Sequence, residues 1–197
     1  DELTYLGRQT WESIRINADM TKLLVSPDGG YLQSSVDSGK TWSSLENAGW
    51  REWRDLYTDD TFVKIVAAEH NGGIYYTSDS GFSWSNWSPG TDRAYWGVVC
   101  NQYFSSAVAT VSGGEIFLSE DTLTDNTWVG LSSAGTRDWK SISAAGNFTR
   151  FVAAVTDGSL YYSMDTGSTW EVLLNAGIDA WYGIFTNEAF DKMVGTV

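Results

Sequence analysis

Residues 139–174 read WKSISAAGNFTRFVAAVTDGSLYYSMDTGSTWEVLL, and the order of their parts decides the fold. WKSIS is a short alternating run. A Gly/Asn turn follows, then RFVAAV, an apolar run rich in small residues. The turn Thr156-Asp157-Gly158-Ser159 leads into LYYSMD, and a tight turn leads into STWEVLL. Runs of about five residues with β-branched and aromatic content, bounded by Gly, Asp, Asn and Ser, are the pattern of strands joined by hairpins. No sustained period of 3.6 appears, so the stretch reads as four antiparallel strands, A to D in chain order.

The same order recurs along the chain. From Trp53 the parts are WRDLY, KIVAAEH, GIYYTSD and FSWSNW. Trp falls at 11, 53, 96, 139 and 181, at intervals of 42, 43, 43 and 42 residues. A second series falls at 42, 84, 128 and 170, at intervals of 42, 44 and 42. Four strands in about 42 residues, repeated, is the signature of a β-propeller. A linear solenoid would need atypical capping repeats, and none is visible. The expectation is one all-β domain over residues 1–197, a propeller of about five blades with repeats opening at Trp11, Trp53, Trp96, Trp139 and Trp181. The fifth repeat reaches Val197 with strands A and B only. Its blade is expected to be incomplete and closed by both termini, with Leu3-Thr4-Tyr5-Leu6 pairing to residues 192–197. Such pairing would remove an exposed strand edge.

Composition excludes several classes. The 197 residues hold 25 acids against 12 bases, a net charge of −13, which repels phosphate backbones and argues against nucleic-acid partners. No run of 18 apolar residues exists, so membrane insertion is not expected. A single Cys and a single His exclude an internal disulfide and any Cys- or His-based metal cluster. No cofactor is implied. The 11 Trp, 10 Tyr and 8 Phe suit pleated, half-buried surfaces. The chain opens Asp1-Glu2-Leu3 with neither Met nor a leader, so a mature, trimmed or partial chain is expected. The acidity favours an extracellular, cell-surface or virion setting.

The third strand runs into a motif. It reads SVDSGKTW at 35–42, TSDSGFSW at 77–84 and SMDTGSTW at 163–170. Its fixed residues are Ser35, Asp37, Gly39 and Trp42; then Asp79, Gly81 and Trp84; then Ser163, Asp165, Gly167 and Trp170. The third repeat departs: Asp121 and Trp128 remain, but the loop is two residues longer and lacks the Gly. This pattern resembles the Asp-box, or bacterial neuraminidase repeat, found in sialidases, sortilin-like receptors, photosystem II assembly factors and many bacterial and phage surface proteins. The resemblance implies a propeller whose boxes brace hairpins away from any active site. An Asp in a tight turn accepts backbone N–H bonds, and the Gly supplies a positive φ. The box Trp rings are expected to form blade core. Gly-x-x-x-Trp at Gly7/Trp11, Gly49/Trp53, Gly135/Trp139 and Gly177/Trp181 is similar to tandem Asp-box repeats of uncharacterised bacterial and environmental proteins.

An enzyme fits poorly. Resemblance to sialidases would imply three arginines, a Tyr/Glu nucleophile pair, an acid Asp and an Arg-Ile-Pro element; Arg15-Ile16-Asn17 lacks the Pro. Cys100 reads as a buried thiol. The reading is a non-catalytic recognition module for a glycan or protein partner. A photosystem II assembly-factor-like protein is one alternative, and a sialidase-related hydrolase a weaker one. Up-and-down strands place the D-to-A and B-to-C loops on one face. Those loops carry Arg8, Trp50, Arg51, Arg93, Arg137 and His70, the candidate ligand residues. Arg forks suit carboxylates and planar groups, and Trp stacks on sugar rings.

Overall fold

A computed structural model describes residues 9–90, 92–120 and 127–197. The chain divides into two compact units, with the boundary between Asp92 and Arg93. Arg8, Asp121 and the Leu3–Leu6 segment lie outside the described residues.

The first unit holds two blades. Strands β1 (Trp11–Ile16), β2 (Leu23–Gly30), β3 (Gln33–Ser35) and β4 (Ser43–Ser44) form one. Strands β5 (Arg51–Thr58), β6 (Ile65–Gly72), β7 (Ile74–Thr77) and β8 (Ser85–Asn86) form the next. The second unit begins with β9 (Arg93–Cys100), β10 (Ala107–Val111), β11 (Ile116–Ser119) and β12 (Trp128–Gly130). It continues with β13 (Trp139–Ala144), β14 (Phe151–Val155), β15 (Leu160–Ser163) and β16 (Glu171–Val172). A last pair is β17 (Gly183–Thr186) and β18 (Met193–Thr196). Every neighbouring pair within a blade is antiparallel. Among the described residues β18 pairs with β17 alone. No helix among them is long and apolar enough to cross a membrane.

Register corrects the third repeat by one residue. Glu69 faces Trp53 and Val155 faces Trp139, but the equivalent Val111 faces Tyr95, not Trp96. Tyr95 is fully buried like Trp53 and Trp139, while Trp96 is half-buried. The interval from Tyr95 to Trp128 is then 33 residues, against 31 elsewhere, which matches the two-residue insertion in the third box.

The core follows from the alternation of the two inner strands. In the first unit Leu24, Leu32 and Ala48 of one blade pack with Trp53, Leu56, Phe62 and Ala67 of the next. In the second, Val108, Ile116 and Ala134 pack with Trp139, Ile142, Phe148 and Ala153. Leu160 and Val152 then pack with Ile184 and Phe190. The box rings Trp84 and Trp170 are half-buried lids on these clusters, not their centres. The centres are Trp53 and Trp139, each edge-on to a Tyr, Tyr75 at 5.8 Å and Tyr161 at 5.4 Å. Trp87 is also fully buried and meets Tyr76 edge-on. Cys100 is buried.

The turn that joins strands A and B also repeats, through a residue of positive φ that the sequence reading did not single out. Met20, Phe62, Phe104, Phe148 and Phe190 all have φ near +60°. Each donates its N–H to the carbonyl three residues back: Asn17, Asp59, Asn101, Ala145 and Asn187. A bulky residue in this left-handed region is strained. The four Phe rings are buried at 3–8% exposure, and that burial holds the turn. Met20 is 68% exposed.

Candidate functional site

The box turns share one hydrogen-bond pattern in three copies. The Ser35 hydroxyl donates to Asp37 and accepts from the Gly39 N–H at 2.9 Å. Asp37 accepts the Thr41 N–H at 2.8 Å and the Thr41 hydroxyl at 2.6 Å. The Trp42 indole N–H donates to the Gly39 carbonyl. Thr77, Asp79, Gly81, Ser83 and Trp84 repeat this, as do Ser163, Asp165, Gly167, Thr169 and Trp170. Donation by the Thr41 hydroxyl, above all, holds Asp37 down to a pKa of about 2. Ser83 does the same for Asp79, again to about 2, and Thr169 lowers Asp165. These carboxylates stay charged and are held by turn donors, so they brace the turns and cannot serve as proton donors near neutrality. In the third repeat Trp128 opens β12 and is half-buried.

Among the described residues the arginines expected in the D-to-A loops, Arg51, Arg93 and Arg137, are engaged by neighbouring residues of their own units. Leu45, Leu131 and Leu173 each precede a single 3-10 turn, at Glu46–Ala48, Ser132–Ala134 and Leu174–Ala176, and each turn ends in a Gly of positive φ. Gly allows that conformation at no steric cost. The Arg51 Nε donates to the Ala48 carbonyl at 2.9 Å, its fork reaches Glu69 at 3.0 Å and the Tyr75 hydroxyl at 2.9 Å, and the guanidinium lies 4.1 Å over the Tyr75 ring. Arg137 repeats the arrangement on Ala134 and Tyr161. Arg93 covers Phe117 at 4.8 Å. His70, on β6, meets Glu52 at 3.2 Å. Trp50 is 63% exposed, and its ring lies against Gly29, where a Cβ would come within 3.2 Å. The D-to-A segment does run beside the preceding B-to-C turn, as the pairs Gly30/Arg51, Gly114/Arg137 and Gly158/Asp179 show.

Within each unit the structure singles out residues that sequence periodicity did not. Each innermost strand slips by one residue next to its opening aromatic, between Trp11 and Ser13, Trp53 and Asp55, Tyr95 and Gly97, and Trp139 and Ser141. The residue inside each β-bulge is Glu12, Arg54, Trp96 or Lys140, and Tyr182 holds the same place before β17. Bulges re-aim side chains and gather next to functional sites. In the second unit the Lys140 ammonium sits 2.9 Å from the centre of the Trp96 ring and 4.8 Å from that of Tyr182, which is 64% exposed. In the first unit Arg54 is buried and meets Asp28 at 2.7 Å, Glu12 at 3.7 Å and Glu52 at 3.9 Å. Among the described residues no three His, Cys, Asp or Glu side chains converge as metal ligands would.

These blades place the chain among the β-propellers, and three solved structures carry that conclusion. The chain superposes on a GH74 enzyme of Niastella koreensis with a TM-score of 0.74, at 14% identity, over 93% of this chain and 36% of that one. A chain of a nidogen/laminin complex gives 0.75 at 8% identity, over 90% and 69%. YCF48 bound to a D1 peptide gives 0.66 at 18% identity, over 90% and 59%. The chain thus spans about a third of the length of the GH74 enzyme it resembles. No family model matches the sequence, and no curated protein does. At these identities the likeness is one of fold.

Proposed function

We propose that this chain is a non-catalytic recognition module that binds a glycan or a protein partner at a cell, virion or other extracellular surface, without a cofactor. The observation that carries the reading is the repeated bulge position in each unit. One backbone device recurs with differing side chains, an acid and a cation (Glu12 and Arg54) in the first unit and an aromatic and a cation (Trp96 and Lys140) in the second, where Tyr182 takes the same place before β17. In the second unit these positions join a cation to two aromatic faces, a pairing suited to recognition rather than bond cleavage. The carboxylates support the same reading. Those of Asp37, Asp79 and Asp165 are held by turn donors, Asp55 takes bonds from Ser13, Arg15 and the Leu56 N–H, and Glu69 holds Arg51. The neighbours solved in a nidogen/laminin complex and with a D1 peptide support use of this fold in complexes. The YCF48 likeness also favours a second reading, an assembly-factor-like protein that grips a peptide segment. The A-to-B turn, present five times, supports a propeller of about five blades.

The test is a glycan array and an affinity capture, each followed by direct binding measurement. Lys140→Ala and Tyr182→Ala should weaken the interaction found, while Lys40→Ala should not. Equal loss in all three, or loss only for Lys40, would remove the bulge positions from consideration.

A further inference from the structure

In the first unit, the 3-10 turn after β4 and the box turn of the next blade line a groove of about 420 Å³. Its two sides are held together. The Asn47 side-chain amide donates to the Phe82 carbonyl at 2.9 Å, and a Cβ on Gly81 would come within 3.2 Å of Leu45. Leu45 and Ser80 also border a smaller cavity of about 110 Å³ alongside it. The Phe82 ring is 80% exposed beside this groove. The remaining lining is polar and includes Ser43, Glu46 and Asn47, with no lysine or arginine.

The second unit supplies an internal comparison. There Leu131 approaches Gly167 in the same way, and the Ser133 hydroxyl donates to the Gly167 carbonyl at 2.9 Å. The place of Phe82 in that box is taken by Ser168, and in the first box by Lys40. The scaffold therefore does not need an aromatic residue here. A ring that is 80% exposed at the edge of a polar groove, where the other two boxes carry Lys40 and Ser168, is the feature this repeat adds.

We propose that this groove binds a neutral saccharide, with a pyranose lying on the Phe82 ring and its hydroxyls bonded by Ser43, Glu46 and Asn47. The assignment rests on the reading of the chain as a recognition module and names its ligand class. A sugar offers a face of C–H groups to an aromatic ring and a rim of hydroxyls to polar groups. Ser hydroxyls donate and accept, the Asn amide does both, and the Glu carboxylate accepts strongly. A volume of this size lies within the ordinary range for small-ligand sites. An anionic ligand is disfavoured twice, by Glu46 at the groove and by the net charge of −13.

The experiment titrates the isotope-labelled chain with neutral gluco-, manno- and xylo-tetraoses and with a uronic-acid tetramer, following backbone amide shifts. At least one neutral sugar should bind with a Kd of about 1 mM or tighter and move the amides of residues 43–47 and 80–82. Phe82→Ser, which copies the fourth repeat, should weaken binding about tenfold with an unchanged melting temperature, and Phe82→Tyr should retain it. A preference for the uronate overturns the proposal. So does binding that survives Phe82→Ser. Shifts confined to Trp96, Lys140 and Tyr182 overturn the groove but leave the recognition reading standing. No shift with any sugar also overturns the groove, and the recognition reading is then decided by the protein-capture arm of its own test.

Discussion

The box turns and the inner-strand bulges repeat equally well in backbone and oppositely in side chain. Three boxes keep the same donors and acceptors down to the indole N–H on the Gly carbonyl. The bulges keep the backbone slip but replace Glu12 with Arg54, Trp96 and Lys140. Identical chemistry at a repeated position marks a group the fold itself consumes, because every backbone donor in a tight turn needs an acceptor. Differing chemistry on identical backbone marks a position the fold leaves open. The arginines test that rule. Arg51 and Arg137 repeat the same contacts and so fall on the structural side, although as loop residues in an acidic chain they resemble ligand groups.

The comparison is broken most severely at the blade centres. Trp139→Ala should destabilise the chain by roughly 3–5 kcal/mol, since the ring is fully buried. Trp170→Ala, at a half-buried lid, should cost about 2 kcal/mol. Denaturant melts of both variants give the ranking; a larger loss at Trp170 would make the boxes, not the opening aromatics, the organising centres.

Acid provides the next test. The Asp37 and Asp79 carboxyls titrate near 2 in the folded chain against 3.8 unperturbed. Depressed carboxyl values mean stability that is present above the unfolded pKa and lost as pH falls through the folded one. The native chain should therefore lose stability between about pH 4 and pH 2, beyond the general effect of its other acids. A variant with Asp37, Asp79 and Asp165 all changed to Asn should melt lower near neutrality yet show a shallower fall across that window. Parallel melting curves for the two proteins would show that the turn donors do not depend on the charge.

Much of this was legible in the sequence. The paired Trp intervals, the four strand-length runs and the box motif name the blade. The third repeat misleads because Tyr95 and Trp96 are adjacent aromatics and the count follows the Trp. The fully buried ring is Tyr95, and the two-residue insertion lies wholly in the box. The bulge residues stay hidden for a physical reason: a bulge breaks the period-2 alternation that strand reading depends on. The roles of Arg51 and Arg137 carried a readable signal, Gly-x-Arg-x-Trp at 49–53 and 135–139 with a Tyr two strands later. So did the A-to-B turn, as Asn or Asp three residues before Phe in three of its five copies.

At the open positions the expected stability effects are small. Lys140→Ala should change stability by less than about 1 kcal/mol, since it removes a cation over the Trp96 ring and leaves the surrounding core intact. A loss above that, with no change in binding, would move Lys140 to the structural side of the comparison.

The smallest effect separates the two sides within a single repeated turn. Met20, Phe62, Phe148 and Phe190 share a left-handed backbone that costs a non-Gly residue roughly 1–2 kcal/mol. The Phe rings recover more than that by burial, but Met20, at 68% exposure, recovers little. Met20→Gly should therefore stabilise the chain by about 0.5 kcal/mol, the relief of strain being partly offset by the greater freedom of Gly in the unfolded state. Phe148→Gly, at the same φ, should destabilise it by several-fold more, because the ring packs edge-on against Phe151 at 5.3 Å within a buried cluster. Opposite signs at two copies of one turn would show that its backbone is fixed by the hydrogen bond to the carbonyl three residues back, and that the aromatic ring is what makes the strained form worth keeping. A destabilising Met20→Gly would mean instead that the Met side chain is itself covered, and that the first copy belongs with the other four.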